Sequence, residues 1–321
     1  MQEEFVIDRR QPRVGVVVPC LDEEAVLPEA IKRLGELLDG LVVAGKLAAS
    51  SRVYFVDDGS RDSTWELIEQ AARRDPRIAG IKLSRNRGHQ NALLAGLFTA
   101  EGDVLVSIDA DLQDDLSAIP RMIDEYGRGC DVVYGVRADR SSDGRFKRVS
   151  AETFYGLMRW LGAESVTNHA DFRLMSRRAV EALKLFREVN LFLRGIVPLV
   201  GFRSAIVRYD RLERFAGSSK YSLARMLAMA LDAVTSFSVF PLRLITLLGF
   251  VVFSLSTAMA FWTLWARLFT NQAVPGWTST TLPIYLLGGL QILCLGVIGE
   301  YLGKLYQEAK SRPRYIIEKC T

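Results

Sequence analysis

The chain has 321 residues, 49% of them hydrophobic, and a formal net charge of +4. That length allows one catalytic domain and something more, and so modest a charge gives no reason to expect a nucleic-acid partner. Cys20, Cys130, Cys294 and Cys320 lack metal-ligand or disulfide spacing, which fits a reducing cytoplasm, and the polar stretch Met1 to Arg13 predicts no secretory signal peptide.

Val14 to Pro19 reads as the first strand, followed by Cys20-Leu21-Asp22-Glu23-Glu24 and a helix to about Asp39. Arg52 to Val56 is the second strand, ending in Asp57-Asp58-Gly59-Ser60, and Arg61-Asp62-Ser63-Thr64 opens a helix with good N-cap chemistry. Ile78 to Leu83 is the third strand, and Ser84 to Asn91 leads into a helix from Ala92 to Ala100. The fourth strand, Val104 to Ile108, stops abruptly in Asp109-Ala110-Asp111-Leu112-Gln113-Asp114-Asp115. Asp131 to Val136 is the fifth and leads to Arg137. Strands alternate with helices, so an α/β fold with a mostly parallel, doubly wound sheet is expected.

Open parallel sheets bind ligands at the carboxyl ends of their strands, and three of these ends carry polar clusters. An ionised carboxylate taken out of water needs a cation or donors around it. Two acids one residue apart, with an amide oxygen at Gln113, suit a hard divalent cation that keeps several waters and bridges to phosphates. A solvated turn with a helix N-cap is the alternative reading of Asp109 and Asp111, and an Asx turn that of Asp57 and Asp58. No Gly-x-Gly-x-x-Gly follows the first strand and no P-loop occurs, which removes dinucleotide-binding and P-loop sites. His89 and His169 are the only histidines, too few for a histidine metal site.

The second half is different. Ser222 to Phe240 places Leu223, Met226, Leu227, Ala230, Leu231 and Val234 at helical spacing, an interfacial helix by its pattern. Leu244 to Ala266 and Leu282 to Gly299 are free of charge, each near the length a helix needs to cross a bilayer. Arg203, Arg208, Arg211, Arg214, Lys220, Arg225 and Arg243 precede these spans and Lys304, Lys310, Arg312, Arg314 and Lys319 follow them. Asn271 to Thr281, between the spans, has no Lys or Arg, so both ends of the chain are expected in the cytoplasm.

The pieces VVVPCLDEE (Val16 to Glu24), VDDGSRDST (Val56 to Thr64), LSRNRGHQNALLAG (Leu83 to Gly96) and DADLQD (Asp109 to Asp114) resemble family 2 glycosyltransferases of the GT-A fold. HADFRLMSR (His169 to Arg177), RFAGSSKYS (Arg214 to Ser222) and LGVIGEYLGKLY (Leu295 to Tyr306) resemble the polyprenyl-phosphate transferases among them, especially the bactoprenol glucosyltransferase branch. The resemblance implies a cytosolic, Rossmann-like GT-A domain over 12–215, after a tail over 1–11. Juxtamembrane interfacial helices would then cover 216–242 and a two-helix transmembrane hairpin 243–306, with spans near 244–267 and 282–304. A cytosolic tail would close the chain over 307–321. The setting implied is the inner (plasma) membrane, the partners a nucleotide sugar and a polyprenyl phosphate lipid, and the assembly a homotetramer.

By the same resemblance, Asp111 and Gln113 would ligate Mg²⁺ or Mn²⁺, with Asp109 holding the ribose or a metal-bound water. Pro19, Leu21, Glu23, Val56, Asp58, Asp109, Ala110 and Asp111 would bind the nucleotide sugar, Asp58 accepting from the base imide. Arg137, Arg148, Arg214 and Lys220 would clamp the acceptor phosphate, with Arg145 and Lys147 beside them. Asp171 would orient the acceptor or act as a weak base, unless it only pairs with Arg173. The implied activity is inverting transfer of a hexose, first of all glucose from UDP-glucose, to undecaprenyl phosphate. The sequence departs from the family in Leu21-Asp22, Asp115 and His169-Ala170. Three rivals are a GDP-mannose-using synthase, a processive polysaccharide synthase and a non-catalytic nucleotide-sugar scaffold. Gly156 stands where the processive enzymes carry a glutamine.

Overall fold

The computed structural model describes residue 9 and residues 11–137, 169–188, 193–210 and 277–321, with scattered positions between 245 and 265. Arg148, Arg214, Lys220, the expected interfacial helix and most of the first expected span lie outside the described residues.

Strand β1 (Val14–Cys20) is buried along its whole length, as its valine run requires. Helix α1 (Leu27–Val43) begins with a proline in its first turn and buries Leu27, Ala30, Leu34, Leu38 and Leu41, a stripe at helical spacing. Then come β2 (Arg52–Asp57), α2 (Thr64–Arg74), β3 (Ile78–Leu83) and α3 (His89–Thr99). In α3 every residue from Ala92 to Leu97 is buried, so it is covered on all sides. Next are β4 (Val104–Ser107), α4 (Ala118–Gly127), β5 (Val132–Arg137), β6 (His169–Ser176), α5 (Arg177–Leu183), α6 (Leu193–Leu199) and β7 (Ser204–Tyr209). The Ser176 hydroxyl caps α5 by accepting from the Ala179 N–H at 3.1 Å.

These strands, joined by β8 (Ile317–Cys320), form one eight-stranded sheet in the order β7-β5-β6-β4-β1-β2-β3-β8. The neighbours β4, β1, β2 and β3 run parallel, as expected. The rest departs from the doubly wound expectation. Strand β6 lies antiparallel between β4 and β5, so the fourth and fifth strands of the sequence are not neighbours. It escapes a reading by hydrophobicity because Asp171 and Arg173 interrupt its apolar run, yet both are buried. Strand β8 falls in the segment expected as a tail and pairs antiparallel with β3, with the Thr321 N–H donating to the Gly80 carbonyl at 3.0 Å. It is an edge strand with exposed Glu318 and Lys319, so no apolar alternation marks it.

Register brings the strand ends together. Cys20 pairs with Asp57 and Val17 with Ser107, so the acids that follow β2 and β4 emerge at one edge of the sheet. Helix α3 closes on β1 and β2 at Gly96, where a Cβ would stand 2.3 Å from a Val17 methyl and 2.7 Å from one of Val56.

The sheet, α1–α6 and residues Arg312–Thr321 belong to one compact unit, and α7 (Trp277–Ala309) to a second. At 33 residues α7 is roughly 50 Å long. Ile284, Leu295, Leu302 and Leu305 on it are exposed, as are Phe250, Leu255, Trp262 and Trp265 before it. Counted over the described residues alone, no helix is long and apolar enough to cross a membrane. Several α7 side chains fall outside that count, and in the full sequence the helix runs from Leu282 to Gly299 without a charge.

Gly96→Ala should destabilise the first unit by about 1–3 kcal/mol, because two buried β-branched residues must move to admit one methyl. The melting temperature of the purified variant checks this; an unchanged value would contradict the close α3–sheet contact.

Candidate active site

The loops after β1 and β2 are laced together before any ligand is considered. The Asp22 N–H donates to the Ser60 hydroxyl at 3.0 Å, and the Arg61 N–H to Asp22 Oδ1 at 2.8 Å. The Glu23 N–H donates to Thr64 Oγ1 at 2.9 Å and the Glu24 N–H to Asp62 Oδ2 at 3.1 Å. Asp22 adopts a left-handed conformation (φ 53°), which an Asp tolerates better than most residues. Of the expected nucleotide-sugar residues here, Pro19 and Val56 are paired in register and buried, Glu23 is half-buried and Leu21 is exposed.

Asp58 is 2% exposed. Its Oδ1 accepts from the Arg87 N–H at 2.7 Å and its Oδ2 from the Gly88 N–H at 2.9 Å, so the carboxylate grips the loop that enters α3. These bonds leave a lone pair on each oxygen, so they neither use up nor test the expected role of accepting from a base imide. Burial pushes the Asp58 carboxyl up, and the two N–H groups pull it back in part. Gly59 makes the grip possible: at φ 75° it leaves no Cβ where the Asn86 backbone nitrogen would stand 2.6 Å away. Asp57 is fully buried, with Oδ1 accepting from the Ser60 N–H, three residues on, at 3.1 Å.

Past β4 the backbone turns at Leu112 (φ 55°), and the Gln113 N–H donates to Asp111 Oδ1 at 3.2 Å. Asp109 and Asp111 are half-buried at the lip, with Ala110 buried between them. Burial pushes the Asp109 carboxyl up to about 6, opposed by nearby His89 and reinforced by Asp114, Asp171 and Asp111. Asp114 is 2% exposed; its Oδ1 accepts from the Tyr209 hydroxyl at the end of β7 and lies 3.6 Å from Arg137 Nη2 at the end of β5. Of the four expected phosphate clamps, Arg137 is the one within the described residues, and the structure sets it against this buried acid.

Asp171 on β6 faces two arginines and a histidine. Its Oδ1 accepts from Arg173 Nη2 at 2.6 Å, its Oδ2 lies 3.3 Å from Arg194 Nη2 on α6, and the same Oδ2 is 3.6 Å from His89 Nε2. Arg173 is 1% exposed, so this pair is buried. Burial alone would raise the Asp171 carboxyl, but the bond to His89 and the charges of Arg194 and Arg173 hold it well below the usual range. The pairing with Arg173 is thus present, and a carboxyl held this acidic is a weak proton acceptor, which suits orienting an acceptor better than acting as a base. Sequence reasoning did not single out His89, Arg194 or Tyr209 for the site. His89 stood in a polar stretch at a strand end, a usable signal, whereas nothing marks Arg194 or Tyr209 before β6 and β7 are placed.

Among the described residues no group of three or more His, Cys, Asp or Glu side chains could hold a metal by themselves. The residues do fit a cation that the protein holds only in part. Asp111 and Gln113 are hard oxygen donors at the lip, and Asp114 Oδ2 is buried without a hydrogen-bond partner.

Residues 15–184 match the family described as glycosyl transferase family 2. The chain is 49% identical over 310 residues to the uncharacterized glycosyltransferase YkoT of Bacillus subtilis, across 96% of this chain and 92% of that one. It is 40% identical over 308 residues to the SfII prophage-derived bactoprenol glucosyl transferase of Shigella flexneri, across 96% and 98%. Among solved structures it is similar to a mannosyltransferase of Pyrobaculum calidifontis in complex with GDP-Man and Mn²⁺, at 17% identity and a TM-score of 0.43, covering 91% of this chain and 87% of that one.

Asp171→Asn should cost about 3–5 kcal/mol in denaturant unfolding, because it strands Arg173 as a buried cation without its anion. The pH dependence has a defined sign. A depressed carboxyl stabilises the fold above its unfolded value of about 3.9, and that stability is lost as the pH falls through the folded value. The variant should therefore lose part of the acid-side slope of wild-type stability; an identical slope would show that Asp171 is not depressed.

Proposed function

Because the chain belongs to glycosyl transferase family 2, we propose that it moves a hexose, with inversion, from a nucleoside diphosphate sugar to a polyprenyl phosphate. The acidic lip Asp109-Ala110-Asp111-Leu112-Gln113 carries the reading, at the carboxyl edge of the sheet in a chain 40% identical to a bactoprenol glucosyl transferase over nearly its full length. UDP-glucose is the first donor to expect and GDP-mannose the second.

The acceptor sets what the protein must do. A phosphate monoester has a second pKa of about 6, so at neutral pH its oxygen is already a competent nucleophile. No strong base is required, in keeping with the acidity of Asp171. The task left is to hold two anions close together. Asp111 and Gln113 would hold Mg²⁺ or Mn²⁺, which when bound supplies positive charge to the departing diphosphate. Arg137 offers a guanidinium at the end of β5, and Arg148, Arg214 and Lys220 are assigned with it to the acceptor phosphate.

A lipid acceptor calls for a membrane-bound enzyme. We assign 244–267 and 282–304, whose uncharged stretches are Leu244 to Ala266 and Leu282 to Gly299, to a transmembrane hairpin, with 216–242 on the membrane surface and both termini cytoplasmic. The exposed apolar side chains of α7 support that assignment, since an exposed patch of this kind needs a partner or a bilayer. The homotetramer remains part of the proposal on resemblance alone.

Incubation of the purified protein with labelled nucleotide sugars and undecaprenyl phosphate should give a lipid-linked sugar that EDTA suppresses. Nucleotide binding without any such product would favour the scaffold. Asp111→Asn should lower turnover by about 100-fold or more. Arg137→Ala and Arg214→Ala should chiefly raise the KM for the acceptor. Near-normal activity in Asp111→Asn would overturn the metal assignment.

A further inference from the structure

His89 is the first residue of α3 and stands where two neighbouring strands of opposite direction each present an acid. Its Nε2 lies 3.5 Å from Asp109 Oδ1, beyond the end of β4, and 3.6 Å from Asp171 Oδ2 on β6. The residue is fixed from several sides. Asp58 grips the N–H groups of Arg87 and Gly88 just before it, and the Asn91 side-chain amide donates to the Arg87 carbonyl at 2.8 Å. Next to it, Gln90 Oε1 accepts from the Leu193 N–H at 3.2 Å, tying α3 to α6.

We propose that His89 is a positioning residue for glycosyl transfer: as an imidazolium wedged between Asp109 and Asp171, it links the two side chains and keeps Asp109 aimed at the donor side of the site. The inference rests on the glycosyl-transfer reading of the site. Like charges so close repel, and a cation shared between them removes the repulsion. The charged groups facing His89 are Asp109 after β4, Asp171 on β6, Arg194 on α6 and Asp58 after β2. Burial lowers the affinity of His89 for a proton, but the bond to Asp171 and the charges of Asp109 and Asp171 outweigh it and Arg194, so the net direction is upward. A raised histidine is charged below its folded value and loses its charge as the pH rises through it, so the wedge should fail on the alkaline side.

Two variants separate charge from shape. His89→Gln keeps a polar side chain without the charge; kcat/KM for the donor should fall between about tenfold and about 100-fold, with the acceptor KM within about twofold of wild type. His89→Lys keeps a cation whose ordinary pKa is about 10.4. It should recover most of the loss and abolish the decline in activity on the alkaline side. Wild-type activity in the glutamine variant, or a lysine variant no better than glutamine, would overturn the assignment while leaving glycosyl transfer in place. Absence of transfer by the wild-type protein would overturn the glycosyl-transfer reading instead. Calorimetric titration with UDP and Mg²⁺ then still decides on His89: weaker binding in His89→Gln, restored in His89→Lys, supports it, and equal binding in all three proteins overturns it. Melting temperatures of the variants identify any loss caused by unfolding. If glutamine unfolds the protein, the alkaline limb of the lysine variant decides: a flattened limb supports the wedge and an unchanged limb overturns it.

Discussion

An ionised carboxylate inside a protein costs several kcal/mol unless cations or donors surround it, and the carboxyl edge of this sheet gathers many of them. Most of their oxygens are answered locally. Asp57 takes a backbone N–H from its own turn, Asp58 takes two from the loop entering α3, and Asp114 takes the Tyr209 hydroxyl with Arg137 nearby. Asp171 has two arginines and shares His89 with Asp109. The arrangement of α3, α6, β5, β6 and β7 around the edge is largely the set of answers to that one electrostatic demand.

The same compensation preorganises the site. Asp58 and Gly59 bring the loop after β3 against the end of β2, and hydrogen bonds between the loops after β1 and β2 hold those two in register. These contacts involve backbone groups, so they persist whatever exposed side chains do. On the proposed reading, a site built this way would hold an anionic donor without first reorganising, which is where electrostatic catalysis draws most of its effect. Several acids of the edge are committed to donors, and Asp171 is held acidic by the cations around it.

On the reading proposed here, the second unit answers to a different solvent. Leu295, Leu302 and Leu305 lie exposed on a helix of 33 residues, whereas the comparable leucines of α1 are buried against the sheet. Side chains of one type thus have opposite fates in the two units. On the reading proposed here, the lipid that covers these leucines also carries the acceptor.

Much of this was legible in the sequence. Valine-rich runs ending in acids marked β1, β2 and β4, and alternation with helices implied a parallel core with its ligands at one edge. Asp109, Asp111 and Gln113 could be chosen because an acidic cluster after a buried strand has few uses. Beyond that point local pattern failed, for identifiable reasons. Strand β6 buries Asp171 and Arg173, so its polarity hid it, and β8 is a short polar edge strand that follows a long helix. Chain order placed β5 beside β4, and only the folded sheet inserts β6 between them. That insertion puts Asp171 across from Asp109 and leaves a gap that His89 occupies. Residue type and spacing along the chain could name the acids, but which cation meets which acid is decided by strand order, a long-range property that no window of sequence contains.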